Sequence, residues 1–203
     1  ARTVTRLILV RHAQSAPDPS LPEGEFPLSE IGRRQAADLA PVLAELGVDA
    51  LASSPYIRAV DTLRPYAAAT GLPIAVDEDL RERALGKWLD DVAQVEAAVA
   101  RMHADLDFRL EGGETGHACL ARFEVALARM VESHPGRTIA VASHGGVLSH
   151  LLARHDGDLA GEFWRRIRNP HLFVFDVDPE LRWLGERTLD GSAGVRTPAM
   201  NGG

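Results

Sequence analysis

The sequence predicts an α/β layer fold built around a mostly parallel sheet. Three observations carry that prediction. Short apolar runs of strand length recur at 7–10, 48–54, 73–77 and 137–142. Between them lie longer stretches whose apolar residues follow helical spacing, and such alternation of strands and helices is the signature of the class. The chain also has 203 residues, 45% hydrophobic and 25% charged, which suits one globular domain able to bury a core.

Leu7-Ile8-Leu9-Val10 is a continuous apolar run, the pattern of a strand covered on both faces. After a Pro-rich loop (Pro17, Pro19, Pro22, Pro27), Leu28, Ile31, Leu39, Leu43 and Leu46 fall at helical spacing. Ser29 is placed to cap that helix and Gly47 to end it. "VDALASS" (48–54) reads as a second strand. "YIRAVDTLRPYAAAT" (56–70) reads as a second helix ended by Gly71, with Pro65 predicting a kink or an early break. "PIAVD" (73–77) is a third strand. Val92, Val95, Val99, Met102 and Leu106 form an apolar stripe on a further helix, read as packing. Leu120, Phe123, Leu127 and Val131 mark another helix. "RTIAVASHGG" (137–146) is a buried strand ending in a Gly pair, and the helix "VLSHLLARH" follows. "HLFVFDV" and "LRWLGERT" pair as strands near the end. "SAGVRTPAMNGG" has little to bury, so about 190–203 is expected to be a loose tail.

The net charge of −7 argues against a general nucleic-acid or anionic-membrane surface. Lys87 is the only lysine among 22 basic residues, so the cations are arginines, suited to bidentate phosphate or carboxylate contacts. Cys119 is the only cysteine, which excludes an intramolecular disulfide and a cysteine zinc site, and it reads as a small buried residue. The run at 7–10 is too short for a signal peptide and no apolar stretch is long enough for a membrane helix. The expected location is the cytoplasm.

In open α/β sheets, ligands bind beyond the carboxyl ends of the strands. Three loops are therefore expected to converge, those after Val10, Ala52 and Ala142. They carry Arg11-His12, Ser53-Ser54-Pro55 with Arg58 nearby, and Ser143-His144-Gly145-Gly146. Two arginines and two histidines there suggest an anion site with a reactive imidazole. Arginine forks match a phosphoryl group, and the helix after Gly145 adds backbone N–H groups. A neutral imidazole can attack phosphorus and form phosphohistidine. "DEDLRERALGKW" at the third strand's end offers a carboxylic acid for the leaving oxygen.

These residues resemble the histidine phosphatase superfamily, also called phosphoglycerate mutase-like. "LVRHAQS" is similar to its "RHG" signature, with Ala13 in place of Gly. "PLSEIGRRQA" (27–36) resembles the segment that follows. "SSPYIRAVDT" (53–62) resembles the second arginine motif, "LRERALGKW" (80–88) the acid motif, "EGGET" (111–115) the "GGES" and "SHGG" (143–146) the second-histidine motif. The matches run in family order from about residue 6 to 150.

The resemblance implies a three-layer sandwich, one domain over 1–203, with a small helical lid inserted at about 84–117. It implies that His12 is the nucleophile, that Arg11, Arg58 and His144 bind the phosphoryl oxygens, and that Glu82 is the general acid and then base. Gln14, Ser15 and Gly145 are further candidates for substrate contact. No metal or cofactor is implied, since arginine and histidine supply the positive charge. Glu82 must begin protonated, which an incoming phosphate dianion beside it would favour.

The chain also departs from the family pattern. Gln14 stands where many members have Glu, Asp18 where many have Asn, and "WLD" replaces "WEG". A carboxylate facing a phosphate dianion would repel it, so Asp18 is left out of the site. Glu114 and Thr115 have a capping role as the alternative to a site role. His103, His117, His134, His150, His155 and His171 are read as structural or solvent-facing, with His117 the one to watch beside Gly113.

Three functions are compared. Hydrolysis of a small phosphorylated substrate is preferred, because only about thirty residues separate Glu82 from Gly112 and the mutase "YGGLQG" is absent. A small lid leaves the phosphohistidine open to water. A phosphoglycerate mutase-type transferase is the alternative, and a non-catalytic phospho-ligand module is the third. A homodimer through the C-terminal strands or the lid is an open option.

Overall fold

The computed structural model describes residues 4–87, 89, 91–155 and 163–190. The expected tail from 191 onward, with Trp88 and Asp90 of the acid motif, lies outside the described residues. Six strands form one sheet: β1 (Thr5–Arg11), β2 (Ala50–Ser53), β3 (Ile74–Val76), β4 (Thr138–Ser143), β5 (His171–Val177) and β6 (Leu181–Thr188). Their order is β3-β2-β4-β1-β5-β6. The first four are parallel, while β5 and β6 form an antiparallel hairpin against the free side of β1.

Alternation along β1 explains the layers. Leu7 and Leu9 face one way and Ile8 and Val10 the other, and all four are fully buried. Leu7 and Leu9 pack with Leu120, Phe123 and Leu127 of α4 (Gly116–Ser133) and Leu148 and Leu151 of α5 (Gly145–His155). Ile8 and Val10 pack with Leu39 and Leu43 of α1 (Glu30–Glu45) and Ala59, Leu63 and Tyr66 of α2 (Ile57–Thr70). Helices thus cover both faces of the sheet. Between β3 and α4 the chain forms α3 (Val92–Ala104), and a four-residue helix, α6 (Phe163–Arg166), precedes β5. No helix among the described residues is long and apolar enough to cross a membrane.

The helix ends follow the sequence reading. Ser29 Oγ accepts from the Gly32 N–H, and Gly71 closes α2 in the left-handed region at φ 75°. Thr115 Oγ caps α4 by accepting from the Ala118 N–H. Two details differ. Pro65 does not end α2, which runs unbroken from Ile57 to Thr70; its packing of Leu63 and Tyr66 into the core outweighs the one backbone bond that Pro65 cannot make. Val92 is 81% exposed because it starts α3, and the buried face of that helix is Ala98 and Met102.

One glycine fixes how the first loop meets α1. The Gln14 carbonyl accepts from the Ser29 N–H at 2.9 Å, and a Cβ on Gly32 would lie 1.9 Å from that same oxygen. The backbone of α1 therefore touches the backbone just after His12. Gly32→Ala is expected to cost about 2 kcal/mol or more by forcing the two apart. Urea denaturation measures this directly, and an unchanged midpoint would contradict the contact.

Candidate active site

The parallel register sets Arg11 beside Ser143. The His12 N–H then donates to the Ser143 carbonyl at 3.1 Å, continuing the ladder one residue past the strand. His12 and His144 come together with ring centroids 5.2 Å apart. The third loop joins them through Ser54, whose Oγ lies 2.8 Å from His144 Nε2. The loops after β1, β2 and β4 do converge.

His12 is held on every side. Asn169 Nδ2 donates to its carbonyl at 2.7 Å. Thr62 Oγ1 accepts from the Ala13 N–H and itself donates to the Arg58 carbonyl, tying the loop to α2. Arg58 Nε donates to His12 Nε2 at 3.2 Å. A guanidinium can only donate, so Nε2 must carry the lone pair. Nδ1 then bears the hydrogen and donates to the Ala13 carbonyl at 2.7 Å. Burial, with the Arg58 and Arg11 charges, pushes His12 down to about 3, so the ring is neutral at physiological pH. Only 7% of His12 is exposed.

Arg11 Nη1 donates to the Ile167 carbonyl at 2.5 Å, while its Nε is buried without a partner among the described residues. His144 is fully buried, and among the described residues its Nδ1 likewise has none. An unpaired buried donor costs roughly 1–3 kcal/mol, which an anionic oxygen would recover. A Cβ on Gly145 would come within 2.9 Å of Arg11 Nε, and one on Gly146 within 2.7 Å of Glu82 Oε1. The glycine pair makes room for both side chains. Glu82 rests on the first turn of α5: Oε2 accepts from the Gly146 N–H and Oε1 from those of Val147 and Arg83, each at 2.8 Å.

A cavity of about 910 Å³ opens over these groups. Arg11, His12, Glu82 and Gly145 line it. Arg58 and His144 stand behind the wall, in contact with His12. Arg58 is also engaged by Glu23, through the backbone carbonyl at 2.6 Å and the carboxylate at 3.1 Å. Gln14 and Ser15 do not line the cavity: the Gln14 side chain turns to Ser29 Oγ, and Ser15 bridges to Leu28. Asp18 is exposed and turned to Ser20, whose N–H and hydroxyl both donate to it. His117 lies on the surface beside Asp107.

Several residues at this site were read otherwise or passed over in the sequence. Arg122 donates to the Asp79, Arg81 and Glu82 carbonyls and pairs with Glu114, so it clamps the segment that carries Glu82. His103 and His150 line the cavity as well. His150 follows Gly146 by one helical turn, and that spacing was the available signal. Arg83 and Glu23 left no such signal, because loops bring them in.

Residues 7–186 match the family model of the histidine phosphatase superfamily, branch 1. The glucosyl-3-phosphoglycerate phosphatase of Mycobacterium tuberculosis is 34% identical over 164 residues, covering 73% of this chain and 74% of the relative. A bifunctional protein of the same organism is 34% identical over 214 residues and 98% of this chain. The chain spans only 55% of that longer relative. Among solved structures, the mycobacterial glucosyl-3-phosphoglycerate phosphatase has a TM-score of 0.72 at 28% identity, covering 89% of this chain and 96% of the other.

The buried imidazoles give the fold a definite pH dependence. His12 and His150 are both held at about 3, chiefly by burial, against about 6.5 in an unfolded chain. Between those values the unfolded state binds protons that the folded state refuses, so stability rises with pH and is lost as pH falls from about 6.5 toward 3. Each contributes a slope of about 1.4 kcal/mol per pH unit in that window. Urea midpoints between pH 7 and 4 are expected to fall, and more shallowly for His12→Asn. A flat profile would contradict the neutral assignment.

Proposed function

Since the chain belongs to the histidine phosphatase superfamily, we propose that it hydrolyses phosphomonoesters through a covalent phosphohistidine on His12. The observation that carries the proposal is the Arg58 Nε contact, which leaves His12 as a neutral imidazole with its lone pair on Nε2. In the first step Nε2 attacks phosphorus. The N–P bond forms, the P–O bond to the substrate alcohol breaks, and Glu82 protonates the departing oxygen. In the second step water attacks phosphorus while Glu82 takes its proton. The N–P bond breaks and inorganic phosphate leaves.

Charge supports the same sequence. Arg11 brings a guanidinium to the wall beside His12, with a buried Nε that has no partner among the described residues, and the Arg58 guanidinium adds positive charge from behind it. Positive charge fixed in a buried place stabilises the five-coordinate transition state without reorganising. Backbone N–H groups of α5 hold both Glu82 oxygens, so the proton carrier is positioned before substrate arrives. The substrate is a small phosphorylated molecule. The phosphatase name of the mycobacterial relative supports hydrolysis over transfer.

His12→Ala is expected to abolish phosphate release and the acid-labile phosphoenzyme seen by mass spectrometry after rapid quenching. Retained turnover would overturn the nucleophile. Glu82→Gln is expected to lower kcat for an alkyl phosphate about 10²–10⁴-fold. The loss should be much smaller for p-nitrophenyl phosphate, whose leaving group needs no proton. Equal losses on the two substrates would remove Glu82 from the acid role. Fast interconversion of 2- and 3-phosphoglycerate with little free phosphate would favour the mutase reading.

A further inference from the structure

The cavity extends well past the space a phosphoryl group fills, and its far walls differ in kind from its floor. Leu21, Val99, Met102 and Trp164 form them, while Phe26 and Ile167 lie beside Arg58 and Arg11. The four side chains come from the Pro-rich loop, α3 and α6. Among the described residues only two arginines reach the wall, Arg11 and Arg83. Arg11 belongs to the phosphoryl end.

Arg83 is buried and four of its five N–H donors are taken. Nε donates to the Glu114 carbonyl, Nη2 to the Phe108 carbonyl at 2.7 Å, and Nη1 to the Met102 carbonyl at 2.7 Å and to His150 Nε2 at 2.9 Å. The other charged wall residues are acidic, Glu23 and Glu82. A carboxylate or second phosphate on the substrate would therefore meet hydrocarbon or a like charge. Desolvating it there without a partner is costly. The uncharged polar groups of the far wall are few. His103 stacks on Trp164 with centroids 5.1 Å apart and planes 2° apart, and it has no hydrogen-bond partner among the described residues.

We propose, resting on the phosphatase reading, that this site takes monoesters of an uncharged, largely apolar alcohol reaching the α3 and Trp164 wall, with His103 free to meet one hydroxyl. A phosphoglycerate, the group in the mycobacterial relative's name, carries the carboxylate that this wall disfavours.

The test compares primary-alcohol phosphates, whose leaving groups are chemically alike. Each methylene buried against this wall is worth about fourfold in kcat/KM. Hexyl phosphate should exceed ethyl phosphate by about tenfold or more. Glycerol 3-phosphate should rank lower than hexyl phosphate, and 3-phosphoglycerate lowest. Val99→Arg, which adds a cation to the wall, should move the ratio of 3-phosphoglycerate to hexyl phosphate upward. A flat series from ethyl to hexyl, or 3-phosphoglycerate equal to or above glycerol 3-phosphate, would overturn the inference. Calorimetry with hexylphosphonate and 3-phosphonopropionate reads the same preference without turnover. Tighter hexylphosphonate with no phosphate released from any ester would overturn the phosphatase reading alone; equal affinities would overturn the inference alone.

Discussion

Everything at this site depends on the register between β1 and β4. Two parallel strands in the middle of the sheet are locked by the burial of Leu7, Ile8, Leu9 and Val10 on one side and Ile139 to Ala142 on the other. A slip of one residue would turn each of these apolar side chains to the opposite face. The same slip would separate His12 from the Ser143 carbonyl and from His144. The core thus sets the geometry of the two imidazoles, and the loop that carries Glu82 is placed against it by Arg122 and the first turn of α5. The antiparallel hairpin β5–β6 completes the arrangement by covering the remaining edge of β1 and delivering Asn169 to the His12 carbonyl just before it.

Much of the fold was legible because strand and helix periods differ so plainly along this chain. Leu7 to Val10 and Ile139 to Ala142 are unbroken apolar runs, and α1 announces itself through Ser29 and Gly47. The site's centre was legible for the same reason: Arg11, His12 and His144 sit at strand ends, where the backbone dictates position. What stayed hidden was supplied across loops. Arg83 is adjacent to Glu82 in sequence, yet its buried partners are the Met102 and Phe108 carbonyls and His150. No spacing encodes that. Val92 shows the opposite limit, since it fits an apolar stripe but falls where the helix has nothing to pack on.

Buried and half-buried arginines divide the labour among themselves. Arg58 fixes the tautomer of His12, Arg122 holds the backbone that carries Glu82, and Arg83 binds α3 to that same segment. Each spends most of its donors on oxygens or nitrogens already in the protein, which is what allows a guanidinium to be taken out of water. Arg11 and His144 are different, since Arg11 Nε and His144 Nδ1 are buried without a partner among the described residues. That asymmetry separates groups that build the site from groups suited to the proposed role of meeting an anion.

The apolar wall of the cavity draws Leu21 from the Pro-rich loop, Val99 and Met102 from α3 and Trp164 from α6, and none of these elements carries Arg11, His12, Arg58, Glu82 or His144. On the proposed reading, chemistry and selectivity are therefore written on separate elements. Side chains at Leu21, Val99 or Trp164 can be exchanged without touching the strand register that places His12 and His144, so a lineage built on this sheet can change its diet without relearning the proposed reaction.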